Sequence, residues 1–260
     1  TTNPVEMKKL TVFCAAACLA ASAAAQNHPD LHEVLDRQKG RNLIEIPKGT
    51  YTLDVRNNGP YKFHNLTDVH INGNGSTVIC NNQEQAFSFY NCVRVELRDL
   101  TIDYDPLCFT QGEITAVAED GSWFDVRIDE GYPVTGLAAN RVQFYDPQTR
   151  LLKRNSITTY TSNYSALKQL GHNLFRAVKN GTWSAGEQVG DLVVMDVKTD
   201  KPNAGVHTVM LNKCYNTKLE NVTVYGSNTF SFFEKEGYAN EYRNCVVDRG
   251  PMPQGIRPRL

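Results

Sequence analysis

Asp103, Tyr225 and Asp248 are far apart in the chain, yet they occupy one place in a recurring pattern. Laying Cys92 on Cys214 and Leu219 on Tyr242 brings all three into one outward-facing column of stacked strands. Such strands lie about 4.8 Å apart, so Asp103 and Asp248 would stand two rungs from each other, roughly 9–10 Å. An inverting glycosidase holds two carboxyl groups about 6.5–9.5 Å apart, one as general acid and one as the base that activates a water. Tyr225 would then stand between them as a sugar-contacting group, and Arg249, next to Asp248, adds a substrate-binding cation. Glu234 is a third catalytic candidate. It follows Phe230, Phe232 and Phe233, and an aromatic face beside a carboxylate suits a pyranose ring. Each candidate has a plainer reading. Asp is common where a strand meets a turn, where its side chain bonds nearby backbone. Phe230 and Phe232 alternate as the core-filling residues of a strand do.

Metal and thiol chemistry find less support. No CxxC occurs. Seven Cys are present, two of them (Cys14 and Cys18) in an N-terminal apolar run. The remainder, Cys80, Cys92, Cys108, Cys214 and Cys245, are odd in number and include no close pair. That argues against a disulfide framework and for small buried hydrophobes. The reading takes no cofactor.

The elements that position the column are repeated strands. In Asn91–Asp105, NCVRVELRDLTIDYD, Val93, Val95 and Leu97 alternate with Arg94, Glu96 and Arg98. The pattern breaks at Asp99 and resumes with Leu100 and Ile102, which predicts two short strands around a tight bend. An offset of 26 puts Val69 on Val95 and Ile71 on Leu97. An offset of 122 puts Leu97 on Leu219, Leu100 on Val222 and Ile102 on Val224. An offset of 23 then puts Val222 on Cys245 and Val224 on Val247. Several such rungs predict a β-solenoid, whose coils cannot bury their apolar faces singly. Outward positions form two columns: His70, Glu96, Lys218 and Glu241, then Asn72, Arg98, Glu220 and Arg243. Their alternating charge reads as structural pairing rather than as a sugar-binding face.

Upstream, Asn27–Arg37 fits a short amphipathic helix, with Leu31, Val34 and Leu35 on one face to cover the first coil. The offset of 122 leaves about a hundred residues beyond an ordinary rung. This insertion, 106–204, has strand patterns at 113–118, 123–128, 141–145, 151–153, 174–178 and 192–197. Turn signals between them predict a small antiparallel barrel. Met7-Lys8-Lys9, the apolar run 10–20 and Ala23-Ala24-Ala25 form a bacterial-type secretory signal pattern. The chain therefore divides into extraneous residues 1–6, a signal peptide 7–25, capping helix and first coils 26–105, barrel 106–204 and resumed coils 205–260. The protein is expected to be secreted or periplasmic, with no integral membrane segment once the signal is removed. A net charge of −1 gives no support for nucleic-acid binding. No capping segment follows Arg257–Leu260, so the reading expects a stack cut short at its C-terminus and inactive alone.

IEIPKGTY, NGNGSTVI, LRDLTIDYDP and the inserted β segment resemble the pectate-lyase-like right-handed parallel β-helix superfamily. Within it they look like the family 110 glycoside hydrolases, exo-acting α-galactosidases with a barrel inserted after an early coil. The similarity spans about Asn42 to Arg249. It implies an all-β fold: a right-handed parallel β-helix with an inserted small antiparallel β-barrel and a short N-terminal capping helix. It also implies a secreted glycoside hydrolase that acts on an oligo- or polysaccharide through paired carboxylates. Relatives usually carry those carboxylates on coils after the insertion, often in an Asn-x-Asp-Gly motif, which this chain lacks. Two alternatives stay open. A polysaccharide lyase would use Ca²⁺ and an Arg base, with Arg98, Arg243 and Arg249 available and Asp103-Tyr104-Asp105 as the one DxD. A non-catalytic glycan-binding β-helix would need no carboxylate pair.

Overall fold

A computed structural model describes residues 28–153, 164–180, 186–197, 207–227, 229–248 and 250. The signal pattern, Arg249 and the chain after Gly250 lie outside the described residues. In chain order, helix α1 (Leu31–Asp36) precedes β1 (Leu43–Glu45), β2 (Thr50–Leu53) and the one-turn helix α2 (Val55–Asn58). Next come β3 (Tyr61–His64), β4 (Thr67–Cys80), β5 (Phe87–Tyr90) and β6 (Val93–Tyr104). The interposed strands are β7 (Phe109–Val117), β8 (Trp123–Ile128), β9 (Leu137–Tyr145), β10 (Tyr164–Gly171), β11 (Leu174–Lys179) and β12 (Leu192–Val197). The stack resumes with β13 (Val209–Asn212), β14 (Lys218–Tyr225), β15 (Phe232–Lys235), β16 (Glu241–Arg243) and β17 (Val246–Asp248).

The coils lie in register as parallel strands. One sheet runs β1-β4-β6-β14-β16, with β2 on β4 and β17 on β14; the other runs β15-β13-β5-β3. The sequence offsets are the ladder registers themselves: Ile71 pairs Leu97, Leu97 pairs Leu219, Leu219 pairs Tyr242 and Val224 pairs Val247. Period-two alternation turns Val69, Ile71, Val95, Leu97, Leu100, Ile102, Leu219, Val222 and Val224 inward, where all are buried. Each such side chain stabilises the stack by about 1.5–3 kcal/mol over an exposed one. The second sheet adds an aromatic ladder, with the Phe63 and Phe89 rings stacked at 4.8 Å.

Three corners recur on each coil, and each requires a left-handed residue. Asn65, Asn91, Lys213 and Glu236 hold one corner, Asp68, Arg94, Asn216 and Ala239 the next, and Asn74, Asp99, Asn221 and Asn244 the third. Asn and Asp tolerate positive φ because their short side chains bond locally. Those amides also link coils: Asn91 donates to Asn65 at 2.8 Å, Asn221 to Asp99 at 2.8 Å and Asn244 to Asn221 at 3.2 Å. At the third corner Gly73 lies so close to the next coil that a Cβ would fall 2.4 Å from the Asp99 carbonyl oxygen.

Of the two outward charge columns only the first pairs between coils, through His70, Glu96 and Lys218; the others bond along their own strand. Glu96 accepts from His70 at 2.9 Å and from Lys218 at 3.1 Å, Lys218 also bonds Glu220, and Arg243 bonds Glu241 at 2.8 Å. Burial pushes the Glu96 carboxyl up, but the His70 and Lys218 bonds outweigh it and leave it below its ordinary value.

At the N-terminal end, Asp30 caps α1 by accepting from His32 N at 3.0 Å. Leu31 and Leu35 insert fully into the coil core, so the capping role read from their spacing is what the helix performs. The insertion forms a six-stranded antiparallel sheet, β10-β11-β8-β7-β12-β9, with β9 and β10 side by side. Its own core includes Phe124, Val126, Val142, Phe144 and Met195, separate from that of the coils. The hairpin at Asp120-Gly121 is as expected, with Gly121 at φ 71° and Ser122 N donating to Asp120 at 2.9 Å. Two readings change. Leu151–Lys153 contributes only an isolated bridge, Leu152 to Tyr145, and β10 is a strand that the alternation did not show. Among the described residues no helix is long and apolar enough to cross a membrane.

Candidate active site

Strand β6 alternates so that Ile102 and Tyr104 point into the core and Asp103 points out. On the next coil Val224 pairs Ile102, which places Tyr225 at the rung beside Asp103. On the coil after that, Asp248 pairs Tyr225 directly. The column of Asp103, Tyr225 and Asp248 read from the offsets is therefore the order of the strands. Asp103 is half-buried and Asp248, at the end of β17, is exposed.

The two carboxyl groups have different surroundings. Burial pushes the Asp103 carboxyl up; the Tyr104 backbone N–H, donating at 2.8 Å, opposes this, and the neighbouring Asp105 charge adds to it. The net direction is upward, so Asp103 holds its proton to higher pH than a solvated aspartate. Behind it lie the buried thiols of Cys80 and Cys108, both pushed up by burial and by Asp103. Tyr104 Oη bonds the Glu84 carbonyl at 3.0 Å and Thr208 Oγ1 at 2.9 Å, and Thr208 reaches Ser227 Oγ at 3.0 Å. This buried network ties the floor of the column to the loop 81–86 and to the coil after the insertion. Single-sequence reading missed it, because Tyr104 and Thr208 are 104 residues apart.

Gly250 was also missed. A Cβ there would lie 3.0 Å from Asp103 Oδ2 and 3.2 Å from Tyr225 Cβ, so Gly250 packs closely against the column. The one available signal was the Arg-Gly-Pro sequence, which reads only as a loop.

Glu234 lies apart from this group. It belongs to the second sheet, where it pairs Leu211 and so occupies an inward-facing position of the last described coil. Its carboxylate accepts from Asn240 Nδ2 at 2.8 Å and from Tyr242 Oη at 3.3 Å. Of the phenylalanines before it, Phe232 packs against the core, whereas Phe230 is 60% exposed and stacks with Phe233. The core-filling reading of Phe230 is thus corrected. Arg249, the proposed substrate cation, lies outside the described residues. Arg98 donates to Asp99 at 2.9 Å, and Arg243 is held by Glu241. Among the described residues no three His, Cys, Asp or Glu side chains converge to hold a metal ion.

Fold and site together define an all-β protein: a parallel β-helix with an inserted antiparallel sheet and an acidic column on its outer face. The chain matches no model of a known protein family and no curated protein.

Proposed function

We propose that this chain belongs to a carbohydrate-active enzyme that hydrolyses a glycosidic bond with inversion, with Asp103 as general acid and Asp248 as general base. The observation that carries the reading is the difference between two carboxyl groups two rungs apart. Asp103 is half-buried and proton-retaining, and Asp248 is exposed. Asp103 would protonate the departing glycosidic oxygen. Asp248 would take a proton from the water that attacks the anomeric carbon from the opposite face. Roughly 9–10 Å separates their rungs, at the wide end of the spacing for inversion, and Gly250, which packs against Asp103 and Tyr225, would have to move aside to admit a sugar. Tyr225, between them, supplies a ring edge and hydroxyl to orient the sugar. The resemblance to α-galactosidases of family 110 and the secretory pattern agree with a glycan substrate met outside the cytoplasm.

The test uses the longest reading frame that contains this segment, assayed on a panel of aryl glycosides including α-galactosides. Expected are release of the aryl group, a first-formed sugar of inverted anomeric configuration by proton NMR, and losses on the order of 10²–10⁴ in kcat for Asp103→Asn and Asp248→Asn. Full activity in either variant, or a retained anomeric configuration, would overturn the assignment. A Ca²⁺-dependent unsaturated product absorbing in the ultraviolet would identify a lyase instead.

A further inference from the structure

The five cysteines of the described residues are all thiols, and Cys80, Cys92, Cys108 and Cys214 are buried. Two of them are neighbours on adjacent coils. Cys92 precedes β6 and Cys214 precedes β14, and the residues after them, Val93 and Tyr215, pair in parallel. Tyr215 N donates to the Cys92 carbonyl at 2.9 Å, and Arg94 N donates to Tyr215 O at 2.9 Å, which locks the register across this step. Both side chains point inward with no exposed surface; Cys92 Sγ donates to the Phe63 carbonyl at 3.1 Å and Cys214 Sγ to the Asn212 carbonyl at 3.5 Å. In-register positions on parallel strands are about 4.8 Å apart. That lies inside the span of about 4.4–6.8 Å between Cα atoms that a disulfide bridges.

The position of the pair within the stack is informative. The same column holds Leu66 on the coil before and Gly237 on the coil after, so the two cysteines meet only where β6 faces β14. That step separates residues 122 apart, against 26 and 23 at the neighbouring steps. A cross-link restrains the unfolded chain most where the loop it closes is longest.

We propose that Cys92 and Cys214 are a redox pair whose oxidation staples the coil before the insertion to the coil after it. With a glutathione-type disulfide as oxidant, the Cys92 thiolate attacks one glutathione sulfur and expels the other glutathione as thiolate. The Cys214 thiolate then attacks the Cys92 sulfur of the mixed disulfide and expels the second glutathione. Two electrons and two protons pass from the protein, and one disulfide becomes two glutathione thiols. The neighbouring Cys214 thiol lowers the Cys92 pKa against the opposing effect of burial, which favours Cys92 as the attacking sulfur. Because both thiols are buried, the reaction proceeds while the coils form or open.

The experiment refolds the chain from denaturant at pH 8 with oxidised glutathione or with dithiothreitol, traps thiols with N-ethylmaleimide and maps peptides by mass spectrometry. The expected result is a Cys92–Cys214 peptide cross-link that is absent with dithiothreitol. The melting temperature of the oxidised form should be higher by on the order of 5–10 °C. Cys92→Ser and Cys214→Ser should each remove the cross-link and the shift, whereas Cys245→Ser should retain both. Full alkylation of Cys92 and Cys214 after oxidative refolding, a Cys80–Cys108 linkage in their place, or an unshifted melt of the cross-linked form would overturn the proposal.

Discussion

Asp103 carries a conflict between stability and chemistry. Its carboxyl is held above the ordinary range chiefly by burial, so folding favours the protonated form. Such a group contributes its full stability below the unfolded value of about 3.9 and loses it as pH rises through the folded pKa. At pH 7 folding therefore bears the cost either of half-burying the charge or of taking up a proton, and an amide of the same shape removes both. Asp103→Asn is expected to raise the melting temperature at pH 7, and the gain should vanish at pH 3, where both states are protonated. The same substitution is expected to lower kcat by on the order of 10²–10⁴. Thermal melts at the two pH values check this. A variant less stable at pH 7 would show that the Tyr104 N–H bond to the carboxylate outweighs burial. The column itself was legible, because register alone aligns Asp103, Tyr225 and Asp248. The environment of Asp103 was not, since it depends on Asp105, Cys80, Cys108 and Gly250 meeting in space. Glu234 shows the opposite failure: period two from the inward Phe232 already turns Glu234 inward, and the aromatic-carboxylate motif distracted from that parity.

At the scale of elements, the corners explain why the repeat could be read. Each coil needs a left-handed residue at three fixed places, and Asn or Asp fills most of them. Lys213 is an exception at φ 52°, in the column of Asn65 and Asn91. Its ammonium is 3.8 Å from Glu236 with both groups exposed, an ion pair of small value. Lys213→Asn is expected to stabilise the protein by about 0.5–1 kcal/mol, since Asn adopts this conformation at lower cost. Urea denaturation would measure it, and a lower midpoint would show that the pair with Glu236 matters more than the backbone. Strand β10 was hidden for a related reason. Its ladder with β11 shifts register between Tyr164 and Ala166 and again between Gln169 and Gly171, so regular pairing is confined to Ala166–Gln169, too short for a period to show. Leu151 and Leu152 mislead in the other direction. Both are exposed, so two apolar residues beside a turn promised a strand that burial does not support.

At the scale of the molecule, the insertion interrupts the chain without interrupting the stack. Cys80 pairs Tyr104, and Phe87 pairs Val209 through the ladder of β5 with β13. The path from Tyr104 to Val209 thus spans the same gap as the path from Cys80 to Phe87, which the loop 81–86 crosses. The Ala86 and Phe87 amides both donate to the Thr208 carbonyl at 3.0 Å, so the start of the resumed coil already rests on that loop. The coil core and the inserted-sheet core are separate clusters, and of the coil core only Cys108 belongs to the segment 105–208. A chain in which residues 105–208 are replaced by a copy of 81–86 is therefore expected to fold as a continuous stack. It loses the Tyr104–Thr208 bond and the buried Cys108 side chain, which predicts a melting temperature lowered by several degrees rather than lost. Circular dichroism and size-exclusion chromatography give the readout. A cooperative melt from a compact monomer would show that the coils specify their own register. A molten or aggregated product would mean that the inserted sheet, and not the column pattern, aligns β6 with β14.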